Sequence, residues 1–293
     1  MGDISFICVG DWGSGNADQV KVARAMAKYY RNYPFQFVCG LGDNFYPKGV
    51  TSSNYRTIFT RLFTAVYQNL PIPFYMILGN HDHYGDPTLQ CNLSSLDSRW
   101  HLPNPYYQFE IISPQQCRCF FVAIDSESLQ KKTKESEQQL EWIRSQLKKN
   151  KDKAHWTFLL AHHPVSSNGC HGEPTPYYSK SIRNLLRKYP IDAIWSGHDH
   201  DKQITRLPCG ATQIIVGTGG FIRHCPRPSV PHGTAIFLTE TLGFCTVDIT
   251  KYILELRMLA PTSSYDLNGD GNYQLEYSYR MEPRSRLLEQ ETA

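Results

Sequence analysis

The chain has 293 residues, of which 41% are hydrophobic and 13% aromatic, so it can bury a sizeable core and is not globally disordered. The net charge is only +3, because 30 basic residues are offset by 27 acidic ones, and this excludes a nucleic-acid partner recruited by charge. No run approaches the roughly 18 apolar residues of a transmembrane segment, so none is expected.

The first two-thirds of the chain alternates strand-like and helix-like patterns. Strands are predicted at Ile4–Val9, Phe35–Leu41, Phe74–Leu78, Tyr107–Ile112, Cys119–Ile124, Trp156–Leu160 and Ala193–Ser196. Helices are predicted at Ala17–Arg31, Asn54–Asn69, Glu135–Lys149 and Ser179–Lys188, where apolar residues recur at helical spacing.

The last third is predicted to consist of successive strands with short turns. These are Gln203–Leu207, Gln213–Gly217, Ala235–Leu238, Phe244–Ile249, Ile253–Leu259 and a final segment Tyr265–Arg280. That segment begins like a calcium-binding loop at Asp266, but its twelfth position is Tyr277 rather than Glu, which favours a hairpin turn. The pattern predicts an α/β fold of two packed mixed sheets flanked by helices, a four-layer α/β/β/α sandwich, as one domain over residues 1–293.

Five short polar motifs follow strand-like runs in a fixed order. They are Gly10-Asp11-Trp12-Gly13, Gly42-Asp43-Asn44-Phe45-Tyr46, Gly79-Asn80-His81-Asp82, Ala161-His162-His163-Pro164 and Gly197-His198-Asp199-His200. Open α/β sheets bind ligands beyond the carboxyl ends of their strands, which is where every motif falls. One such motif alone would be an ordinary turn, but the series predicts two oxygen-and-nitrogen metal pockets that share a carboxylate.

On these motifs the chain resembles the calcineurin-like metallophosphoesterase superfamily, and within it the small purple acid phosphatases of the tartrate-resistant type. The discriminating residue is Tyr46, three positions after Asp43, which most members of the superfamily lack. The resemblance runs from about Ile4 to the C-terminal strands and includes Arg99-Trp100 and Pro105-Tyr106-Tyr107.

The resemblance implies a ligand set for two metal ions. Ferric iron would be held by Asp11, Asp43, Tyr46 and His200. Asp43 would bridge to a divalent ion (iron, zinc or manganese) completed by Asn80, His162 and His198. Carboxylate and phenolate oxygens suit a hard trivalent ion, whereas imidazole and amide groups suit a divalent one.

The implied reaction is hydrolysis of phosphate monoesters, from small molecules or proteins, by attack of a metal-bound hydroxide. An active-site histidine would protonate the leaving group; His81 is the first candidate, and His171, nine residues after His162, the second. Asp82 and Asp199 are expected to orient imidazoles rather than bind metal. His163 is expected to lie beside the ligands or at the surface.

Two other functions stay open. One is a phosphatase-fold scaffold that anchors a membrane complex with little or no catalysis, as in glideosome-associated relatives, although such proteins tend to lose ligands and this chain keeps them. The other is a metallophosphodiesterase or nucleotide-specific enzyme, against which Tyr46 argues. Substrate choice would lie in four loops, at Pro47–Ser53, Tyr84–Asp97, Ser166–Pro176 and Phe221–Pro231. In the last, Arg223 is either a contact for an anionic substrate or an ordinary surface residue.

The compartment is suggested by the family and by two weak signals. Nine cysteines permit disulfides whose pairing cannot be read from one sequence, and Asn92-Leu93-Ser94 is a glycosylation sequon. The N-terminus carries no leader, so the protein is either cytosolic or had its leader removed before this numbering begins. The resemblance favours a secreted, lysosomal or vacuolar glycoprotein, expected to be monomeric.

Overall fold

The computed structural model describes residues 2–225, 233–265 and 271–284. Its strands are β1 Ile4–Val9, β2 Phe37–Gly40, β3 Phe74–Met76, β4 Trp100–His101, β5 Tyr107–Ile112, β6 Arg118–Ile124, β7 Trp156–Ala161, β8 Ala193–Ser196, β9 Lys202–Arg206, β10 Thr212–Val216, β11 Thr234–Thr239, β12 Phe244–Ile249, β13 Leu254–Tyr265 and β14 Gly271–Met281. Its α-helices are α1 Ala17–Asn32, α2 Tyr55–Phe59, α3 Pro87–Gln90, α4 Ser126–Lys131, α5 Ser136–Asn150 and α6 Pro176–Lys188.

The strands form two seven-stranded mixed sheets. The first has the order β14-β13-β12-β1-β2-β3-β4, with β1 to β4 parallel and β12 antiparallel to β1. The second has the order β11-β9-β10-β8-β7-β6-β5, with β6, β7, β8 and β10 parallel. The two mixed sheets flanked by helices confirm the predicted fold class.

Aromatic side chains fill the space between the two sheets. Phe6 of β1 stacks on Phe37 of β2 with ring centroids 4.8 Å apart, and it meets the edges of Phe121 and Trp195 from the second sheet. Such pairs add about 1 kcal/mol each beyond the burial of their area. The core between the sheets therefore holds β1 and β2 rigidly against β6 and β8, whose ends carry the candidate site.

Helices cover the outer faces. Helix α1 packs on β13 and β14, where Tyr29 meets the ring of Tyr273. Helices α5 and α6 bury Leu140, Ile143 and Ile182 against the outer face of the second sheet. Each helix is amphipathic, so its apolar stripe has one sheet to cover.

The predicted helix Asn54–Asn69 is wrong in form. Helix α2 ends at Phe59 and continues as a π-helical turn, Thr60–Thr64. The wider turn changes the phase of the side chains, so that Phe63 reaches the ring of Trp100 at 5.1 Å and Tyr67 reaches Trp12 at 5.4 Å. Packing around two buried tryptophans thus overrides the regular helical spacing.

Other differences concern short or extended elements. The short helices α3 and α4 and the two-residue strand β4 lie where no element was expected. Strand β13 runs to Tyr265, beyond the predicted end at Leu259. Residues 266–270, which include most of the predicted turn and the start of the segment weighed as a calcium loop, lie outside the described residues, and β14 begins at Gly271.

Candidate metal centre

Three residues of the candidate site have strained backbones at the carboxyl ends of their strands. Asp11 after β1, Asp43 after β2 and His198 after β8 have φ angles of 55°, 53° and 71°, in the left-handed region that residues other than glycine seldom adopt. Such strain costs of order 1 kcal/mol or more per residue and clusters at functional sites. The packed sheets that hold β1, β2 and β8 keep these three turns in the strained conformation.

The Tyr46 hydroxyl lies at the centre of one group of ligands. Its oxygen is 2.9 Å from Asp11 Oδ1 and 2.8 Å from Asp43 Oδ2, and it is 3.2 Å from His200 Nε2. The structure thus brings together the four residues expected to hold ferric iron.

The Asn80 side chain lies at the centre of the second group. Its Oδ1 is 3.1 Å from His162 Nε2 and 3.1 Å from His198 Nδ1. Asp43 Oδ1 is 3.5 Å from His162 Nε2, so the two oxygens of Asp43 face the two groups. One carboxylate oxygen each from Asp11 and Asp43 and one nitrogen of His162 lie within 4.8 Å of one another.

Hydrogen bonds outside the cluster fix which imidazole nitrogen faces inward. His162 Nδ1 lies 2.8 Å from the Leu41 carbonyl and donates to it, so Nε2 is the nitrogen that faces the cluster. The Asp11 carboxylate is held similarly, because Oδ2 accepts the backbone N–H of His198 at 2.8 Å. Ligand atoms oriented in this way are typical of metal sites.

The electrostatics of the cluster favour a bound cation. Asp11 and Asp43 are 0% and 1% exposed, so two carboxylates are buried side by side. Burial and the neighbouring Asp11 charge raise the pKa of Asp43 despite the nearby His162. Burial opposes ionisation of Asp11 as well, but His200 and His162 hold its pKa below the usual value. Burial and both carboxylates raise the pKa of Tyr46 well above 10. A multivalent cation would relieve this repulsion, so the donor set fits a metal.

Two glycines allow the loops to approach this closely. A Cβ on Gly79 would lie 2.2 Å from Asp43 Oδ1 and 2.4 Å from Asp43 N, and a Cβ on Gly197 would lie 2.4 Å from Asp11 Oδ2. No side chain fits at either position without moving a carboxylate. The glycines in the third and fifth motifs therefore have a packing role that their sequence pattern alone did not reveal.

The two candidate proton donors border the cluster at different ligands. His81 donates its backbone N–H to Asp43 Oδ1 at 2.9 Å, and its ring lies 4.4 Å from the Tyr46 ring. His171 lies 4.2 Å from the His198 ring, and its Nδ1 is 3.1 Å from Asp199 Oδ1. Both side chains thus lie beside residues expected to bind metal.

The acidic neighbours of the ligands divide into two kinds. Asp199 contacts the imidazole of His171, as expected of an orienting group. Asp82 instead accepts hydrogen bonds from backbone amides and from one side-chain amide, so the expectation that it orients an imidazole is wrong. Its donors are Asn44 N, Phe45 N, Gly79 N and Gln90 Nε2. It therefore joins the second motif to the third.

His163 is buried beside the ligands rather than exposed. Its Nδ1 is 2.9 Å from Ser126 Oγ and its Nε2 is 3.4 Å from Glu127 Oε2. Burial, followed by the nearby imidazoles of His198 and His162, lowers its pKa well below the usual value. A neutral His163 therefore packs against His198, with ring centroids 4.4 Å apart.

One feature near the site could not be assigned from the sequence. A disulfide joins Cys170 to Cys225, 55 residues apart, and thereby ties the loop of His171 to the loop of Arg223. Both loops were expected to influence substrate choice, but nothing in the sequence paired these two of the nine cysteines. The part of the loop at residues 226–231 lies outside the described residues.

Comparison with known proteins identifies the class. Residues 4–202 match the calcineurin-like phosphoesterase family, so the chain belongs to that family of metal-dependent phosphoesterases. In the described part of the chain no helix is long and apolar enough to cross a membrane.

The relatives narrow the class. The chain is 29% identical to human tartrate-resistant acid phosphatase type 5 over 85% of its own length and 84% of the relative's, and 30% identical to the mouse protein over 78% and 75%. It is 29% identical to Arabidopsis thaliana purple acid phosphatase 17 over 68% and 63%. The resemblance to the small purple acid phosphatases is thereby confirmed.

Two solved structures share the fold. One is "GAP50 the anchor in the inner membrane complex of Plasmodium", with a TM-score of 0.81 and 20% identity, over 96% of this chain and 89% of that one. The other is a purple acid phosphatase from yellow lupin seeds, with a TM-score of 0.70 and 16% identity, over 95% and 53%. At these identities the matches concern the fold alone.

Proposed function

We propose that this chain is an acid phosphatase that hydrolyses phosphate monoesters at a binuclear metal centre, with the whole of residues 1–293 acting as one domain. The observation that carries the proposal is the convergence of seven donor residues on two groups joined by the buried Asp43 carboxylate. Those residues are Asp11, Asp43, Tyr46, Asn80, His162, His198 and His200. The acid phosphatases among the relatives support the same reaction.

In this proposal Asp11, Asp43, Tyr46 and His200 hold ferric iron, and Asp43, Asn80, His162 and His198 hold divalent iron, zinc or manganese. Two such ions activate water and neutralise charge on the phosphoryl oxygens. The buried Asp11 and Asp43 carboxylates supply negative charge that favours a trivalent ion, and the phenol of Tyr46, whose pKa is raised, would ionise only beside such a cation.

The chain's own groups would handle the proton and the phosphate. His81 Nδ1 lies 2.7 Å from the Pro47 carbonyl and donates to it, so Nε2 is the nitrogen that would pass a proton to the leaving oxygen. His171 is held by Asp199 beside the His198 ring, where it would contact the phosphate or the leaving group. These two histidines are the proposed catalytic residues.

A secreted, lysosomal or vacuolar location is part of the proposal. The Cys170–Cys225 disulfide supports it, because disulfides persist in oxidising compartments. Asn92 of the glycosylation sequon is exposed, which supports a glycoprotein.

The test is hydrolysis of p-nitrophenyl phosphate by purified protein reconstituted with ferric iron and a divalent ion. The wild type should turn over substrate at acidic pH. Asp43→Asn should bind both metal ions more weakly and should lose about three orders of magnitude or more of phosphatase activity. Asp86→Asn, at an exposed helix cap, is the matched control. A wild type with no more than one metal per chain and no activity would refute the proposal.

A second candidate is a scaffold that anchors a membrane complex, favoured by the structural match to GAP50. Asp43→Asn also separates the two candidates. If the variant still captures the same partner in a pull-down while phosphatase activity is absent from the wild type as well, the scaffold function is the correct one.

A further inference from the structure

Residues 221–225, called here the strap, cross the candidate metal centre and are fixed to it at three points. The Phe221 ring stacks on the His200 ring at 5.6 Å and meets the Tyr46 ring edge-on at 4.8 Å. The Arg223 backbone N–H donates to the His200 carbonyl at 3.3 Å. Cys225 is joined to Cys170 by the disulfide. The strap therefore follows the ligands closely instead of extending into solvent.

The Arg223 side chain reaches across to His171. Its Nη1 donates to His171 Nε2 at 3.2 Å, while His171 Nδ1 donates to Asp199 Oδ1 at 3.1 Å. Since the His171 ring lies 4.2 Å from the His198 ring, the guanidinium is one side chain away from an expected metal ligand. Arg223 is exposed, so an anion entering the site from solvent can reach it.

The partner that Arg223 has now is a weak one for a guanidinium. One imidazole nitrogen of His171 offers at most a single acceptor, whereas a phosphate offers several charged oxygens that match the fork of an arginine. Within residues 2–225, 233–265 and 271–284, Arg223 forms no ion pair with a carboxylate. A phosphate at the metal centre would therefore take over its donors at little cost.

We propose that Arg223 is a substrate-binding residue that contacts the phosphate group of the ester, and that the Cys170–Cys225 disulfide holds it in place. The inference rests on the proposed phosphatase function and adds a cationic phosphate contact on the strap. The disulfide links Cys170, which precedes His171, to Cys225, two residues after Arg223. It limits the motion of both loops, so less freedom is lost when phosphate binds.

The experiment compares wild type, Arg223→Gln and Arg223→Lys after reconstitution with metal. Three quantities are measured: the KM and the kcat for p-nitrophenyl phosphate, and the Kd for inorganic phosphate by calorimetry. Charge-assisted hydrogen bonds of this kind predict a rise of about tenfold to hundredfold in KM and in Kd for Arg223→Gln. Arg223→Lys keeps the charge but not the fork and should give an intermediate rise.

Two further variants sharpen the result. Arg280→Gln makes the same change in net charge and should leave KM and Kd unchanged. Arg280 lies on β14 beside Glu255 of β13, at the level of Ser5 near the start of β1, whereas the metal centre lies beyond the other end of β1. A Cys170→Ser, Cys225→Ser double variant should raise KM and Kd in the same direction as Arg223→Gln but by less. Metal content should equal that of the wild type in every variant.

The outcomes distinguish this inference from the proposed function. If Arg223→Gln binds phosphate within about twofold of the wild type, the inference is wrong even if the enzyme is active. Loss of metal by Arg223→Gln would also overturn it, because Arg223 would then be supporting the ligands. If the wild type hydrolyses no ester but its phosphate affinity depends on Arg223, the phosphatase proposal fails and the phosphate site stands.

Discussion

Replacing Asp82 by Asn should destabilise the protein through the loops that carry the candidate ligands. The Asp82 carboxylate is fully buried. Its oxygens accept from Asn44 N at 3.1 Å, Phe45 N at 3.2 Å, Gly79 N at 2.8 Å and Gln90 Nε2 at 2.9 Å. An amide keeps one acceptor oxygen and places a donor where other donors point. At least one charge-assisted bond is lost and the rest weaken, which predicts a loss of about 2–4 kcal/mol.

The assay is urea unfolding of metal-stripped protein at about pH 7.5. Burial and the neighbouring Asp43 charge raise the pKa of Asp82 to about 6, so the wild-type carboxyl is ionised under these conditions. Asp86→Asn is the matched control, because Asp86 caps α3 from an exposed position and Asn caps equally well. The control should stay within about 0.5 kcal/mol of wild type. If Asp82→Asn does so too, the carboxylate does not hold the two loops together.

Three further outcomes are expected. Burial opposes protonation of His83, but the Asp125 carboxylate at 2.9 Å has the larger effect and raises the pKa of His83 above 6.5. The ion pair of His83 and Asp125 therefore stabilises the fold below pH 6.5, and this stabilisation is lost as the pH rises through the folded-state pKa of His83. His83→Gln should therefore cost about 1 kcal/mol of unfolding free energy near pH 5.5 and little near pH 8.5, and an equal cost at both would contradict this. Lys202→Met should cost about 3–5 kcal/mol in urea unfolding, because partly buried Glu276 and two backbone carbonyls lose the ammonium donor of the buried Lys202, and adding Glu276→Gln should recover part of the loss. Removal of metal with a chelator should lower the thermal midpoint, since the two buried carboxylates of the site then repel each other; an unchanged midpoint would argue against metal binding.

The strands were predicted best because a buried strand is a short run of apolar residues that can be recognised in the sequence. Strand β1 spans Ile4–Val9 as predicted, since a strand covered on both faces is a nearly continuous apolar run, which only Ser5 interrupts here. The helix at Asn54–Asn69 was wrong because its form depends on Trp12 and Trp100, which are distant in the sequence. The assignment of residues 1–293 to a single domain stays a prediction.

The candidate ligands could be proposed from the sequence because each follows a strand, and the strand order places those strand ends together. The side chains that surround the ligands could not be assigned in this way. Asp82 was assigned to an imidazole because it lies close in sequence to the expected ligand Asn80, yet its side chain accepts from backbone amides of the second and third motifs. The contact between Arg223 and His171 spans 52 residues, and the disulfide beside it joins two cysteines that spacing does not pair. Such contacts are fixed by loop geometry, which local patterns do not encode.

The most direct test of the account is the visible absorption spectrum of purified protein, recorded with its metal content for wild type and Tyr46→Phe. A phenolate bound to ferric iron absorbs visible light, and the Tyr46 hydroxyl lies within 2.9 Å of both Asp11 and Asp43. The account predicts two metal ions per chain and a broad purple band that Tyr46→Phe removes. A colourless protein with two zinc or manganese ions would contradict the iron assignment, and a colourless protein without metal would contradict the metal centre itself.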